Sequence, residues 1–185
     1  MARVRVAQKT TYTDLQSWPD DGRRYELYDG EVCVIPSPLL MHQDVAQALY
    51  RLLFAYSEAH GGKAIMAPID IVFDELNVLQ PDVVFFKAVR RHILRRDQPI
   101  RIAPDLVVEV LSPGTARNDR GRKMQTFARF GVPEYWMADP AKNTLEVWRL
   151  ERGKYGLHAH AGPSDRVQSI VLPQLDFDVD PMFAA

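Results

Sequence analysis

The sequence is short of the features that would commit it to several protein classes. It has one cysteine, Cys33, among 185 residues. An intrachain disulfide needs two and a cysteine-ligated zinc or iron–sulfur centre needs more, so both are excluded, and a lone thiol suits a reducing compartment. Long apolar runs are missing too. No window approaches the roughly 20 apolar residues that span a bilayer, and the opening MARVRVAQKT carries charge where a signal peptide carries an apolar stretch. The expectation is a cytoplasmic protein with no membrane partner. Net charge is nearly absent, with 23 Lys and Arg against 24 Asp and Glu. That balance excludes coating of nucleic acid by bulk positive charge and leaves a local basic groove open. Repeats and low-complexity segments are also missing. What is present is 46% hydrophobic and 25% charged content, over a length that buries a sizeable core, which predicts one globular domain spanning residues 1–185.

The elements alternate. Thr13 ahead of Asp14-Leu15-Gln16 is a candidate N-cap for a short helix, ended by Pro19 and Gly22. Tyr25–Tyr28 and Glu31–Ile35 flank Asp29-Gly30, a strong hairpin signal. Helical spacing of Val45, Leu49, Leu52, Leu53 and Tyr56 predicts a helix over 42–60, stopped by Gly61-Gly62. Ala64–Phe73 and Asn77–Phe86 read as two antiparallel strands, and the arginine-dense stretch 87–101 as a loop with one helical turn. Leu106–Leu111 is apolar almost throughout, the mark of a central strand covered on both faces. A helix over 115–130 follows, with Met124, Phe127, Ala128 and Phe130 inward. A hairpin comes next, Glu134–Ala138 with Thr144–Leu150, and then weaker strands such as Ser169–Leu172. The sum is a mixed α/β fold, a mixed central sheet flanked by helices with extra hairpins near both termini.

Glu109 interrupts the apolar strand, and an unpaired carboxylate buried there would cost several kcal/mol or a raised pKa. It therefore either pairs with an arginine, lies at a sheet rim, or serves as a metal ligand or catalytic acid. Asp82, in Gln80-Pro81-Asp82 at the head of another apolar run, poses the same choice, with a turn cap as the alternative. Two carboxylates from neighbouring strands suit a hard cation such as Mg²⁺. Lys123 could complete such a site. Asp119 precedes it by four, and by pattern alone that pair reads as a solvent-facing ion pair. His158 and His160 share a strand face, too few for a metal site.

Taken together, Tyr25-Glu26-Leu27-Tyr28-Asp29-Gly30-Glu31, Pro38 with His42, Gln80-Pro81-Asp82, Pro104 to Pro113, Asp119 with Lys123, and Gly131 to Trp136 resemble the Uma2 family of restriction endonuclease-like proteins, over residues 12–150. The resemblance implies the PD-(D/E)xK nuclease fold and metal-dependent phosphodiester cleavage. Asp82 then matches the aspartate of the PD element and Glu109 the acidic residue of the next strand. Leu111 stands where the general motif expects lysine, so the resemblance implies that Lys123 reaches in from the following helix.

On this reading Asp82 and Glu109 hold Mg²⁺, with Mn²⁺ as a substitute, and Lys123 offsets charge on a nucleic-acid phosphate, DNA by preference. Glu26 and His42 are further catalytic candidates, set against a cross-strand pair and an exposed or capping imidazole. Ser112 contacts the substrate backbone or terminates the strand. Lys87, Arg90, Arg91, Arg95, Arg96 and Arg101, then Arg117, Arg120, Arg122 and Arg129, flank the site and either meet phosphates or pair with Asp97 and other surface acids. Trp18, Trp136 and Trp148 read as core. By analogy with nuclease folds a homodimer is expected. The alternatives to a nuclease are a non-catalytic scaffold that binds nucleic acid or protein, and a hydrolase of small phosphoesters.

Overall fold

The structure, a computed structural model, describes residues 9–184; residues 1–8, on which most of the signal-peptide reading falls, lie outside them. Helix α1 (Tyr12–Gln16) is capped by Thr11 rather than Thr13. The Thr11 hydroxyl accepts from the Asp14 amide, and the Asp14 carboxylate accepts from the Thr11 amide. Thr13 instead donates to Glu75. The expected hairpin forms as β1 (Arg24–Tyr28) and β2 (Glu31–Ile35), turning through Asp29 and Gly30 in the left-handed region that this type of turn requires. Helix α2 (Leu40–His60) starts two residues earlier than its periodicity indicates and stops at Gly61.

The next stretch departs most from expectation. In place of two long strands there are four short ones, β3 (Lys63–Met66), β4 (Ile71–Asp74), β5 (Asn77–Leu79) and β6 (Val83–Phe86). Pro68 and Pro81 sit at the breaks, and proline has no N–H to give a ladder. The outer halves β3 and β6 pair in one sheet, while the inner halves β4 and β5 join β1 and β2 in another. The two sheets diverge where Gln80-Pro81-Asp82 crosses between them. Residues 87–101 carry one short 3₁₀ helix, Ala88–Ile93.

Strand β7 (Leu106–Val110) follows. The helix expected over 115–130 has three parts: α3 (Ala116–Asn118), a π-helical turn (Asp119–Lys123) and α4 (Met124–Arg129). It crosses over to β8 (Glu134–Asp139), parallel to β7, and β9 (Thr144–Glu151) and β10 (Lys154–Ala161) extend the sheet. Strands β11 (Arg166–Gln168) and β12 (Asp176–Asp178) form a small pair. Ser169–Leu172 is the connection between them, not a strand. A bulge between Leu157 and Ala159 breaks the alternation that would put His158 and His160 on one face.

The main sheet runs β10-β9-β8-β7-β6-β3 and is mixed, with helices on it, as expected. Alternation assigns its faces. Phe85, Leu106, Val108 and Trp136 pack against Val45, Leu49 and Leu53 of α2 and against the C-terminal Phe177 and Val179. Val84, Phe86, Val107 and Tyr135 point the other way, toward Phe127 of α4 and Tyr28, Ile71 and Leu79 of the four-stranded sheet. Trp136 is buried core, whereas Trp18 is exposed. Glu109 alternates with Val108 and Val110, so it faces the second layer, between α3–α4 and the smaller sheet.

Candidate active site

Four elements converge where the sheets part, around a cleft of about 280 Å³. β7 carries Glu109, the crossing before β6 carries Asp82, the π-helical turn carries Asp119 and Lys123, and α2 carries His42; all five line the cleft. The register explains the first two. Val83 pairs with Val108, so Asp82 continues opposite Glu109, and its Oδ2 accepts from the Val110 amide at 2.7 Å. His42 Nε2 lies 3.2 Å from the same oxygen.

Lys123 is not the solvent-facing partner of Asp119. It is buried, with Nζ 2.8 Å from Glu109 Oε1 and 3.1 Å from Glu26 Oε1. Glu26, one strand into the smaller sheet, accepts from the Gln80 amide at 2.8 Å and from the Tyr28 hydroxyl at 2.6 Å. Asn118 in turn donates to Tyr28 at 2.8 Å. The cross-strand alternative for Glu26 fails because Cys33 faces it. Glu26 therefore fixes the ammonium, and the second sheet is tied to the site through a chain of hydrogen bonds.

Burial sets the electrostatics. Desolvation holds Glu109 well above the usual carboxylate range; Lys123 pulls it down, while Asp82, Asp119 and Glu26 push it up. Burial acts to strip the proton from Lys123, but Glu109 and Glu26 outweigh it and the group stays an ammonium. Asp119, 1% exposed, is pushed up to about 6, mainly by burial and against the pull of Lys123. Its carbonyl, at the start of the π-helical turn, accepts from the buried Tyr135 hydroxyl at 3.2 Å.

Buried polar atoms are normally satisfied. Among the described residues the buried side-chain polar atoms without a hydrogen-bond partner are His42 Nδ1, Gln80 Oε1, Glu109 Oε1 and Asp119 Oδ2, and all four residues line this one cleft. For Glu109 Oε1 the nearby ammonium is a charge contact, not a directed hydrogen bond. Glu109 Oε1 among them, with the Asp82 carboxylate opposite it in the register, is the donor type a hard divalent cation takes. Among the described residues no three His, Cys, Asp or Glu side chains group closely enough to ligate an ion alone. A cation such as Mg²⁺, which keeps several waters, needs only one or two carboxylates, so the residues fit it.

The arginines tell a different story. Arg90 pairs with Asp105 at 3.1 Å, Arg95 with Asp97 at 3.4 Å, Arg101 with Glu75 at 3.2 Å, Arg120 with Glu146 at 2.7 Å, Arg122 with Glu31 at 3.0 Å and Arg129 with Asp29 at 2.9 Å. For these six, pairing with the chain's own acids is what forms. None of the ten basic residues singled out in the sequence lines the cleft, whereas Arg24 does. Ser112 closes a turn, with its hydroxyl 3.0 Å from that of Thr115. Sequence pattern missed the parts played by Gln80, Tyr28, Asn118 and Thr115, none of which carries a charge to draw notice.

The fold is thus a mixed sheet with helices on both faces and an acidic cleft reached by a lysine. A solved structure from Anabaena variabilis, described as "a putative nuclease belonging to DUF820", superposes with a TM-score of 0.76 at 18% identity, covering 94% of this chain and 97% of that one. At that identity the likeness is one of fold. The chain belongs to the Uma2 family: the model of that family, described as "Putative restriction endonuclease", matches residues 12–180, past the 12–150 expected from motifs. No curated protein matches the chain. No helix among the described residues is long and apolar enough to cross a membrane.

Proposed function

We propose that the protein is a divalent-cation-dependent nuclease that hydrolyses DNA phosphodiester bonds, with Asp82 and Glu109 holding Mg²⁺ or Mn²⁺. The observation that carries this reading is the collection of every partnerless buried side-chain atom of the described residues on one cleft, beside a buried carboxylate–ammonium pair. Such unspent hydrogen-bonding capacity is costly and is retained where a ligand uses it.

When bound, the cation supplies positive charge that acidifies an attacking water and stabilises the charge gathering on phosphorus-bound oxygens. The chain's own residues do the rest. The Val110 amide orients Asp82. Glu26 holds the Lys123 ammonium beside Glu109, where its charge opposes that of the incoming phosphate. His42 braces Asp82 from α2. Arg24 at the rim meets the DNA backbone.

The test is cleavage of supercoiled and linear DNA, with RNA as comparison, in Mg²⁺, in Mn²⁺ and with chelator. Cation-dependent cutting that Asp82→Ala and Glu109→Ala each abolish supports the reading. Salt-dependent binding of DNA without cutting, indifferent to both substitutions, makes the protein a scaffold instead. Sedimentation in the same buffers tests the proposed homodimer, which would place two such clefts on opposite strands.

A further inference from the structure

We infer that Asp119 is a catalytic residue of this cleft, the carboxylate that takes the proton from the attacking water. The inference deepens the nuclease reading and rests on it. A base must have a free lone pair within the site, and most acceptors here are already engaged. Lys123 contacts two carboxylates and is an ammonium with no lone pair to offer. Glu26 receives Gln80, Tyr28 and Lys123. Asp82 and Glu109 are given over to the cation on that reading, and Asp82 Oδ2 also receives the Val110 amide and faces His42. His42 has a partnerless Nδ1, but its other nitrogen is tied to Asp82, so a proton taken by that ring would oppose a cation on the same carboxylate.

Asp119 is differently placed. It lines the cleft, is 1% exposed, and its Oδ2 has no partner. Its position is nonetheless held firmly: Tyr135 grips its carbonyl, and its amide donates to the Thr115 carbonyl at 3.0 Å. A buried carboxylate so fixed and left one bond short is poised to receive a water. In the reaction, one water O–H proton passes to Asp119 Oδ2 as the water oxygen forms its bond to phosphorus. The bond from phosphorus to the leaving oxygen breaks, that oxygen takes a proton from solvent, and Asp119 releases its own to solvent.

The decisive variant is Asp119→Asn, compared with wild type, Asp82→Ala and His42→Gln. The expected result is a kcat at least 100-fold lower, with KM for DNA and the affinity for Mn²⁺ measured by calorimetry both unchanged. The urea midpoint should be at or above that of wild type, because an unpartnered buried charge is gone; a merely structural residue would not lose activity while gaining stability. Added formate or acetate should restore activity to Asp119→Gly, and Asp119→Ser replaces the Asn variant if that one does not fold. An Asp119→Asn enzyme within a few-fold of wild type, or one that loses Mn²⁺ binding together with activity, overturns the inference while leaving the nuclease reading intact. Loss confined to His42→Gln assigns the base to His42. A wild-type protein that cuts nothing overturns the nuclease reading itself.

Discussion

Two carboxylates lie buried on neighbouring parallel strands of the main sheet, and they are treated in opposite ways. Glu134, at the start of β8, is 0% exposed and is saturated. It accepts from Trp136 Nε1 at 2.6 Å, the Ser169 hydroxyl at 3.0 Å, and the Ile170 and Val171 amides at 2.9 and 2.7 Å. Those donors belong largely to the C-terminal connection, so the carboxylate pins that segment to the sheet. Glu109, near the end of β7 and on the opposite face, is 3% exposed and has an ammonium at 2.8 Å but an oxygen with no directed donor. Both groups are pushed up by burial. The difference is in what answers the burial: a closed set of donors where the carboxylate is structural, and an open one where a ligand is expected.

The contrast can be broken most forcefully at Glu134. Glu134→Ala strands four buried donors and should cost about 3–5 kcal/mol of stability, read from urea unfolding, with the C-terminal segment losing amide protection first. Glu109→Gln should reverse the pattern. Cleavage falls roughly 1,000-fold, a barrier increase of about 4 kcal/mol, while stability drops less than for Glu134→Ala because Glu26 still compensates Lys123. A gain of activity in the first variant, or comparable unfolding in both, would erase the distinction.

Acidity provides a finer probe. Asp119 rises in the folded state from 3.8 to about 6, so between those pH values the folded protein binds more protons than the unfolded chain. The sign follows directly: this group's contribution is fully present below about pH 4 and is lost as pH rises toward 6. Two units at about 1.4 kcal/mol each amount to roughly 3 kcal/mol. Denaturant titrations at several pH values should show that decline in wild type and its absence in Asp119→Asn. Smallest of all, Arg24→Ala should weaken DNA binding modestly and lower the salt slope by about 1, leaving both carboxylates undisturbed.

Much of this arrangement is legible locally. The Asp29-Gly30 hairpin, α2 with its Gly61 stop and the Leu106–Val110 strand follow from turn chemistry, helical period and continuous apolarity, all short-range signals. Glu109 declares itself because a charge inside such a strand demands an explanation. The division of 63–86 between two sheets was not legible: alternation and β propensity are the same whichever partner a strand takes, and Pro68 and Pro81 mark breaks without saying where the chain goes next. Asp119 with Lys123 misled for a related reason. Spacing of four puts both on one helical face but does not say whether that face meets water or a carboxylate on another strand.

The sequence alone therefore determined the α/β class, the order of most elements and two of the carboxylates that line the cleft, Asp82 and Glu109, because periodicity, turn residues and the cost of burying charge are properties of a short stretch of chain. Tertiary structure alone decided that Glu26 from one sheet and Glu109 from another share the ammonium of Lys123 from a helix, and that Asp119 keeps an oxygen free beside them. Those facts depend on contacts between residues far apart in the chain, formed only when the two sheets separate at Pro81 and the crossover helix closes over the gap.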